Sequence, residues 1–231
     1  MSANVRSRFH AYAAFALATT IILGFGRTYY FKYWFDTPPL TQLLHFHAIV
    51  FTGWLALHYT QARLIAAHRV STHKRLGIAT AIYGYGMFAL GVYTAIVIAR
   101  TGEPINGIPA LPFLAVPIIT ILVFAGFLTA ALAMRRRADW HKRFMLLATI
   151  SLLAPAAARI STLLLGHVSP AFPLFITLGF VAWCWIDDKR RLGQVHRAYL
   201  IGGVLLMISL PLRFLLTRST AWEAFARWLV T

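Results

Sequence analysis

Histidine is the residue most able to do chemistry in this chain. Two of the nine, His47 and His58, fall inside one apolar run at residues 41–66. Eleven residues separate them, so on a helix they lie ~20° apart around the axis and ~16 Å apart along it. One helix face then presents imidazole at two depths. Imidazole in hydrocarbon is costly unless something uses it. Neutral imidazole ligates iron, copper or zinc, and opposed imidazoles form the usual axial pair of haem in membrane electron carriers. His73, His141 and His196 each open a later apolar run, in the settings HKRLG, HKRFM and HRAYL. These five histidines are the candidate metal ligands, and haem b or another transition-metal centre is the candidate cofactor. Interhelical hydrogen bonds for His47 and His58, or headgroup anchoring for the other three, are the plain alternatives.

Three arginines follow histidines at nearly one interval: His10 and Arg27, His141 and Arg159, His196 and Arg213. An interval of 17 or 18 residues spans ~26 Å of helix, which brings the arginines to a common outer layer. A guanidinium fork fits carboxylate or phosphate. Haem propionates, a carboxylate substrate or a lipid phosphate would each suit, and individual snorkelling to headgroups is the bland use. His47 falls at a comparable depth. The candidate cofactor set is therefore His47, His58, Arg27, Arg159 and Arg213. All six acids (Asp36, Glu103, Asp139, Asp187, Asp188, Glu223) read as loop or terminal residues. That argues against a carboxylate proton relay or cation pathway. The four lysines also fall outside the apolar interiors, which removes a retinal Schiff base. The single cysteine, Cys184, excludes an internal disulfide, a Cys-x-x-Cys pair and covalently attached haem.

The elements that must carry these groups are membrane helices. Of the 231 residues, 59% are hydrophobic and 12% charged, in long apolar runs joined by short charged segments. The sequence predicts a single all-α polytopic bundle over residues 1–231. About seven spans are expected: 9–31, 41–66, 74–99, 110–134, 143–165, 171–187 and 195–217, the sixth short for a bilayer. A net charge of +16 placed in inter-span loops argues against nucleic acid and for lipid contact. Fifteen of the 22 lysines and arginines fall in alternate loops. The positive-inside rule then puts the N-terminus in the cytoplasm and the C-terminus outside, in a bacterial inner membrane. The basic start, MSANVRSR, reads as part of an uncleaved first helix.

Tyr29, Tyr30, Tyr33 and Trp34 read as an interfacial belt, and Pro38-Pro39 as the start of the second span. Gly77, Gly84 and Gly91 form a small-residue stripe for close helix approach. Pro117 is expected to kink the fourth span, and Pro155 and Pro211 to free carbonyls in the outer half. Residues 219–231 read as a short amphipathic surface helix, with Thr220 and Glu223 at capping-box spacing and Trp222, Phe225 and Leu229 on one face.

The stretches PPLTQLLHFHAIVFTGWLALHYTQARL, THKRLG, DWHKRFMLLATISLLAPAAARI and QVHRAYLIGG resemble an uncharacterised group of bacterial multi-pass inner-membrane proteins with histidine-rich helix starts. His47, Trp54, Gln61, Leu64, His73 and Gly77 stand at that group's motif positions. The resemblance implies a membrane bundle and no particular activity. More loosely, the chain is similar to b-type membrane cytochromes and to oxidase-associated membrane proteins. Three functions follow as expectations. The first is a haem- or metal-binding electron-transfer protein. The second is a non-catalytic subunit or assembly factor that binds lipid, partner helices or other respiratory subunits. The third is a membrane enzyme with a cytoplasmic-face metal centre from His68, His73, His141, His196 and Asp139 or Asp187.

Overall fold

The computed structural model describes residues 3–231, with side chains from residue 8 onward. Arg6, in the basic start MSANVRSR, has its side chain outside that range. Among the described residues every regular element is helical. Helix α1 (Ala3–Phe25) widens into a π turn (Gly26–Tyr30) and then tightens into a 3-10 turn (Lys32–Trp34). There follow α2 (Gln42–Ala66), α3 (Val70–Arg100), α4 (Ala110–Phe113), α5 (Ala115–Ala133), α6 (Ala138–Ile150), α7 (Leu153–Leu165), α8 (Ala171–Leu192), α9 (Arg197–Leu216) and α10 (Thr220–Val230).

Five stretches are long and apolar enough to cross a bilayer: Arg8–Tyr30, Val70–Arg100, Ala110–Ala133, Ala171–Leu192 and Arg197–Leu216. The α6–α7 pair, bent by 41°, makes a sixth if it is one span. Helix α2 has the length, at 25 residues, but its histidines lower its hydropathy and it is not among them. Large apolar side chains such as Ile49, Ile82, Leu164, Phe175, Leu205 and Leu215 face outward, as they do when the solvent is hydrocarbon.

Long helices consecutive in the chain, such as α2 and α3, run antiparallel, and small residues set the spacing at several seams. Between α2 and α3, Tyr83 donates from its hydroxyl to the Val50 carbonyl (2.8 Å), while Gln61 meets Thr80 lower down. Between α3 and α5 two of the three stripe glycines, Gly84 and Gly91, make the close approach expected; a Cβ on Gly77 would have only Gln61 of α2, at 4.0 Å. A Cβ on Gly84 would lie 2.7 Å from Leu128 and 3.0 Å from Trp54, and one on Gly91 would lie 3.0 Å from Ile121. The main core gathers Leu17, Trp54, Phe124, Leu147, Leu153 and Leu206, all fully buried.

Several expectations need correction. The sixth apolar run is not short: α8 continues through Asp187-Asp188 to Leu192, and Gly193 ends it in the left-handed region (φ 74°). Asp139, Asp187 and Asp188 are therefore helical, and Asp188 is buried. Helix α2 begins at Gln42 rather than at the prolines, because the Thr41 hydroxyl accepts from Leu44 N (3.3 Å) and caps it. The fifth expected span breaks at Ser151–Leu152, because Pro155 has no N–H to return to the Ser151 carbonyl. The cap of α10 is Ser219, whose hydroxyl accepts from Trp222 N (3.3 Å); Glu223 pairs instead with Arg227 (3.0 Å). Helix α10 docks Trp222, Ala226 and Leu229 on Ala95, Ala99 and Leu114, and leaves Phe225 and Trp228 exposed.

Candidate functional site

One end of the bundle carries Arg63, Lys74, Arg135, Arg136, Lys142 and Lys189, and is here the basic end; the other is the far end. At the basic end four helices each bring one imidazole: His10 from α1, His58 from α2, His73 from α3 and His141 from α6. The rings of His73 and His141 meet edge-on, with centroids 6.3 Å apart. His58 lies within electrostatic reach of both His10 and His141. It is buried, with its ring stacked beyond Trp54 (centroids 6.3 Å), whose indole N–H donates to the Thr149 hydroxyl (3.2 Å).

Hydrogen bonds fix the protons on two of these rings. His141 Nδ1 lies 2.8 Å from the Ala131 carbonyl, which can only accept. Nδ1 therefore carries the proton, and in the neutral ring Nε2 keeps its lone pair for a ligand. Gln61, oriented with its amide nitrogen toward His73, donates to His73 Nδ1 (2.6 Å) and accepts from the Gly77 N–H (3.0 Å). That leaves the neutral His73 ring with its proton on Nε2. His10 Nε2 is buried without a partner. Lys142, Arg143 and Arg191 all act electrostatically on His10.

His196 serves a separate network. Its Nδ1 accepts from Ala198 N (3.1 Å) and caps α9, and its Nε2 donates to Asp139 (2.9 Å). Both ring nitrogens are occupied, so His196 offers no lone pair to a metal. Its backbone N–H donates to Asp188 Oδ2 (3.1 Å). Asp188 forms a two-pronged pair with Arg143, one contact at 2.9 Å from Nε and another from Nη2. Arg143 also donates to the Asp139 carbonyl (2.7 Å) and lies over the Tyr199 ring (5.3 Å). Among the described residues no three His, Cys, Asp or Glu side chains form a group able to hold a metal ion. The cytoplasmic-face centre expected from His68, His73, His141, His196 and an aspartate is not assembled.

The outer set is likewise divided. His47 stacks on Phe51 (centroids 4.0 Å), its Nδ1 buried without a partner, and it feels the charge of Arg159. Arg159 lies over the Phe25 ring (4.3 Å) and donates to the Pro155 carbonyl (3.1 Å). Arg27 lies over Phe35 (5.4 Å). Arg213 is enclosed on α9, 1% exposed, and bonds only to the Ser209 hydroxyl (3.2 Å). The five residues expected to hold one cofactor thus occupy both ends of the bundle, with His58 at the basic end.

The chain matches no protein-family model, no curated protein and no solved structure. The assignment of function rests on the residues themselves.

His10 is the group that sequence reasoning missed as a partner of His58. The signal was present: His10 opens the first apolar run, His58 lies in the last third of the second, and antiparallel neighbours bring those ends together.

Proposed function

We propose that this chain is a seven-crossing protein of the bacterial inner membrane that carries electrons on a group gripped by imidazoles at its cytoplasmic, basic end. Helix α2 supplies the seventh crossing. It packs between α1 and α3, and its 25 residues give ~37 Å, enough for a bilayer. The charge at the basic end puts the N-terminus inside and the C-terminus outside.

The observation that carries the reading is that buried His58 lies within electrostatic reach of His10 on one helix and of His141 on another, the first with an orphaned nitrogen and the second with a directed lone pair. Arg143 and Arg191 are already paired with Asp188 and Asp187, so Lys142 is the nearby cation that repels a bare metal ion and suits a haem, which brings its own carboxylates. Bound there, haem would supply one-electron chemistry. The protein would supply ligation and burial, and His73 and Gln61 would position His141.

Visible absorption and metal analysis of the purified protein test this. A Soret band with about one iron per chain is expected. No band and no stoichiometric iron, copper or zinc would end the reading.

A groove of about 270 Å³ between α1 and α8 favours a second reading, a non-catalytic subunit that binds a lipid chain or partner helix. Thr20, Phe175, Gly179, Phe180 and Trp183 line it. That reading expects colourless protein and co-purification with a partner that is lost on Gly179→Trp.

A further inference from the structure

Arg213 is the least provided-for buried charge among the described residues. It is 1% exposed with no lipid present, so it does not reach a headgroup by extending along the surface. Its Nη2 donates to Ser209 Oγ, while Nε and Nη1 have no acceptor. Four of its five N–H groups are thus unmatched among the described residues.

The packing register shows what surrounds it. Helices α8 and α9 run antiparallel, with Asp188 bonded to His196 N, Trp185 Nε1 donating to the Tyr199 carbonyl, and Gly203 against Val181. Continuing that register places Thr177 within about a turn of Ser209. On α5, Phe127 lies against Gly202, and the same argument brings Thr120 level with Ser209. Thr177 is 1% exposed and its hydroxyl has no partner. Thr120 is buried and donates to the Val116 carbonyl (2.6 Å).

The layer therefore has donors in excess and no anion. Asp139 and Asp188 lie at the opposite end, in the His196 and Arg143 network. Asp187 pairs with Arg191, and Glu223 with Arg227. Asp36 and Glu103 are exposed in connecting segments. Among the described residues no Asp or Glu pairs with Arg213, and an isolated buried charge is strongly disfavoured.

We propose that Arg213, Ser209 and Thr177 form a binding site for a small oxyanion, a monocarboxylate or a phosphate group, inside the far half of the bundle. One guanidinium matches one negative charge. Its unmatched N–H groups bind the oxygens directly, and the Thr177 hydroxyl supplies a further donor. This site is separate from the histidines and stands whether or not they hold a cofactor.

The test uses the full-length protein, purified and delipidated in neutral detergent. Its thermal midpoint is followed at constant ionic strength as chloride is replaced by acetate or by inorganic phosphate, and separately as phosphatidylglycerol is added to the micelles. A saturable rise in midpoint with at least one probe is expected. The acetate and phosphate arms identify a soluble ligand, and the phosphatidylglycerol arm a lipid phosphate. Arg213→Gln should raise the half-saturating concentration at least tenfold. Thr177→Val should raise it several-fold, and serves should Arg213→Gln fail to fold. Arg218→Gln, an exposed arginine on the same segment, should leave it unchanged. No saturable shift with any probe, or equal shifts in wild type, Arg213→Gln and Thr177→Val, would overturn the proposal.

Discussion

Arg143 and Arg213 are both almost fully buried in helices of one bundle, yet they live in opposite environments. Arg143, at the basic end, has a two-pronged carboxylate, a backbone carbonyl and an aromatic face. Arg213, in the far half, has one hydroxyl. The contrast shows two ways a membrane bundle uses a cation. At the basic end it is a structural tie that joins α6 to the α8–α9 turn and holds the helix that carries His141. In the far half it is a charge whose partner comes from outside the chain.

The same substitution should separate the two. Arg143→Met strands Asp188 in the interior and is expected to destabilise the protein by about 3–5 kcal/mol, as is Asp188→Ala for the converse reason. Arg213→Met strands nothing. In anion-free detergent it should leave the unfolding midpoint unchanged or raise stability by about 1–3 kcal/mol, the penalty of an unmatched buried polar group. Equal losses at both positions would erase the distinction.

Helix seams give the next effect. A Cβ at Gly24 would lie 2.6–2.8 Å from the Ala156 backbone and Cβ, which cannot swing aside, whereas Gly86 has nothing within 4 Å. Gly24→Ala should lose about 1–3 kcal/mol by overpacking the α1–α7 contact, and Gly86→Ala should lose nothing measurable by the same unfolding assay. The smallest effect is expected at the His196 cap. His196→Ala should lose about 1 kcal/mol, and His196→Asn should keep most of it, because asparagine caps a helix as well as any residue.

The helical architecture was legible because hydropathy reports directly on segments that pack in hydrocarbon, and the glycine spacing on α3 reported the α5 contact. The buried Arg143–Asp188 pair was not. The string DDKRR after an apolar run reads as the end of a span, although Gly193 behind it marked the true helix end. The depth of Arg213 was not legible either. Hydropathy averages over all faces of a helix, and only packing decides which face turns inward. Ser209, one turn earlier on that face, was the sole hint. The histidines were visible as residues of interest, but spacing along α2 paired His47 with His58. Tertiary packing instead groups His58 with His10 and His141.

That regrouping is the centre of the account, and the visible spectrum of four single variants tests it most directly. The wild-type protein should show a Soret band. His10→Ala, His58→Ala and His141→Ala should each shift or abolish it, while His47→Ala, at the far end of α2, should leave its position and intensity unchanged. A band that survives all three basic-end substitutions, or one that is lost with His47, would contradict the account.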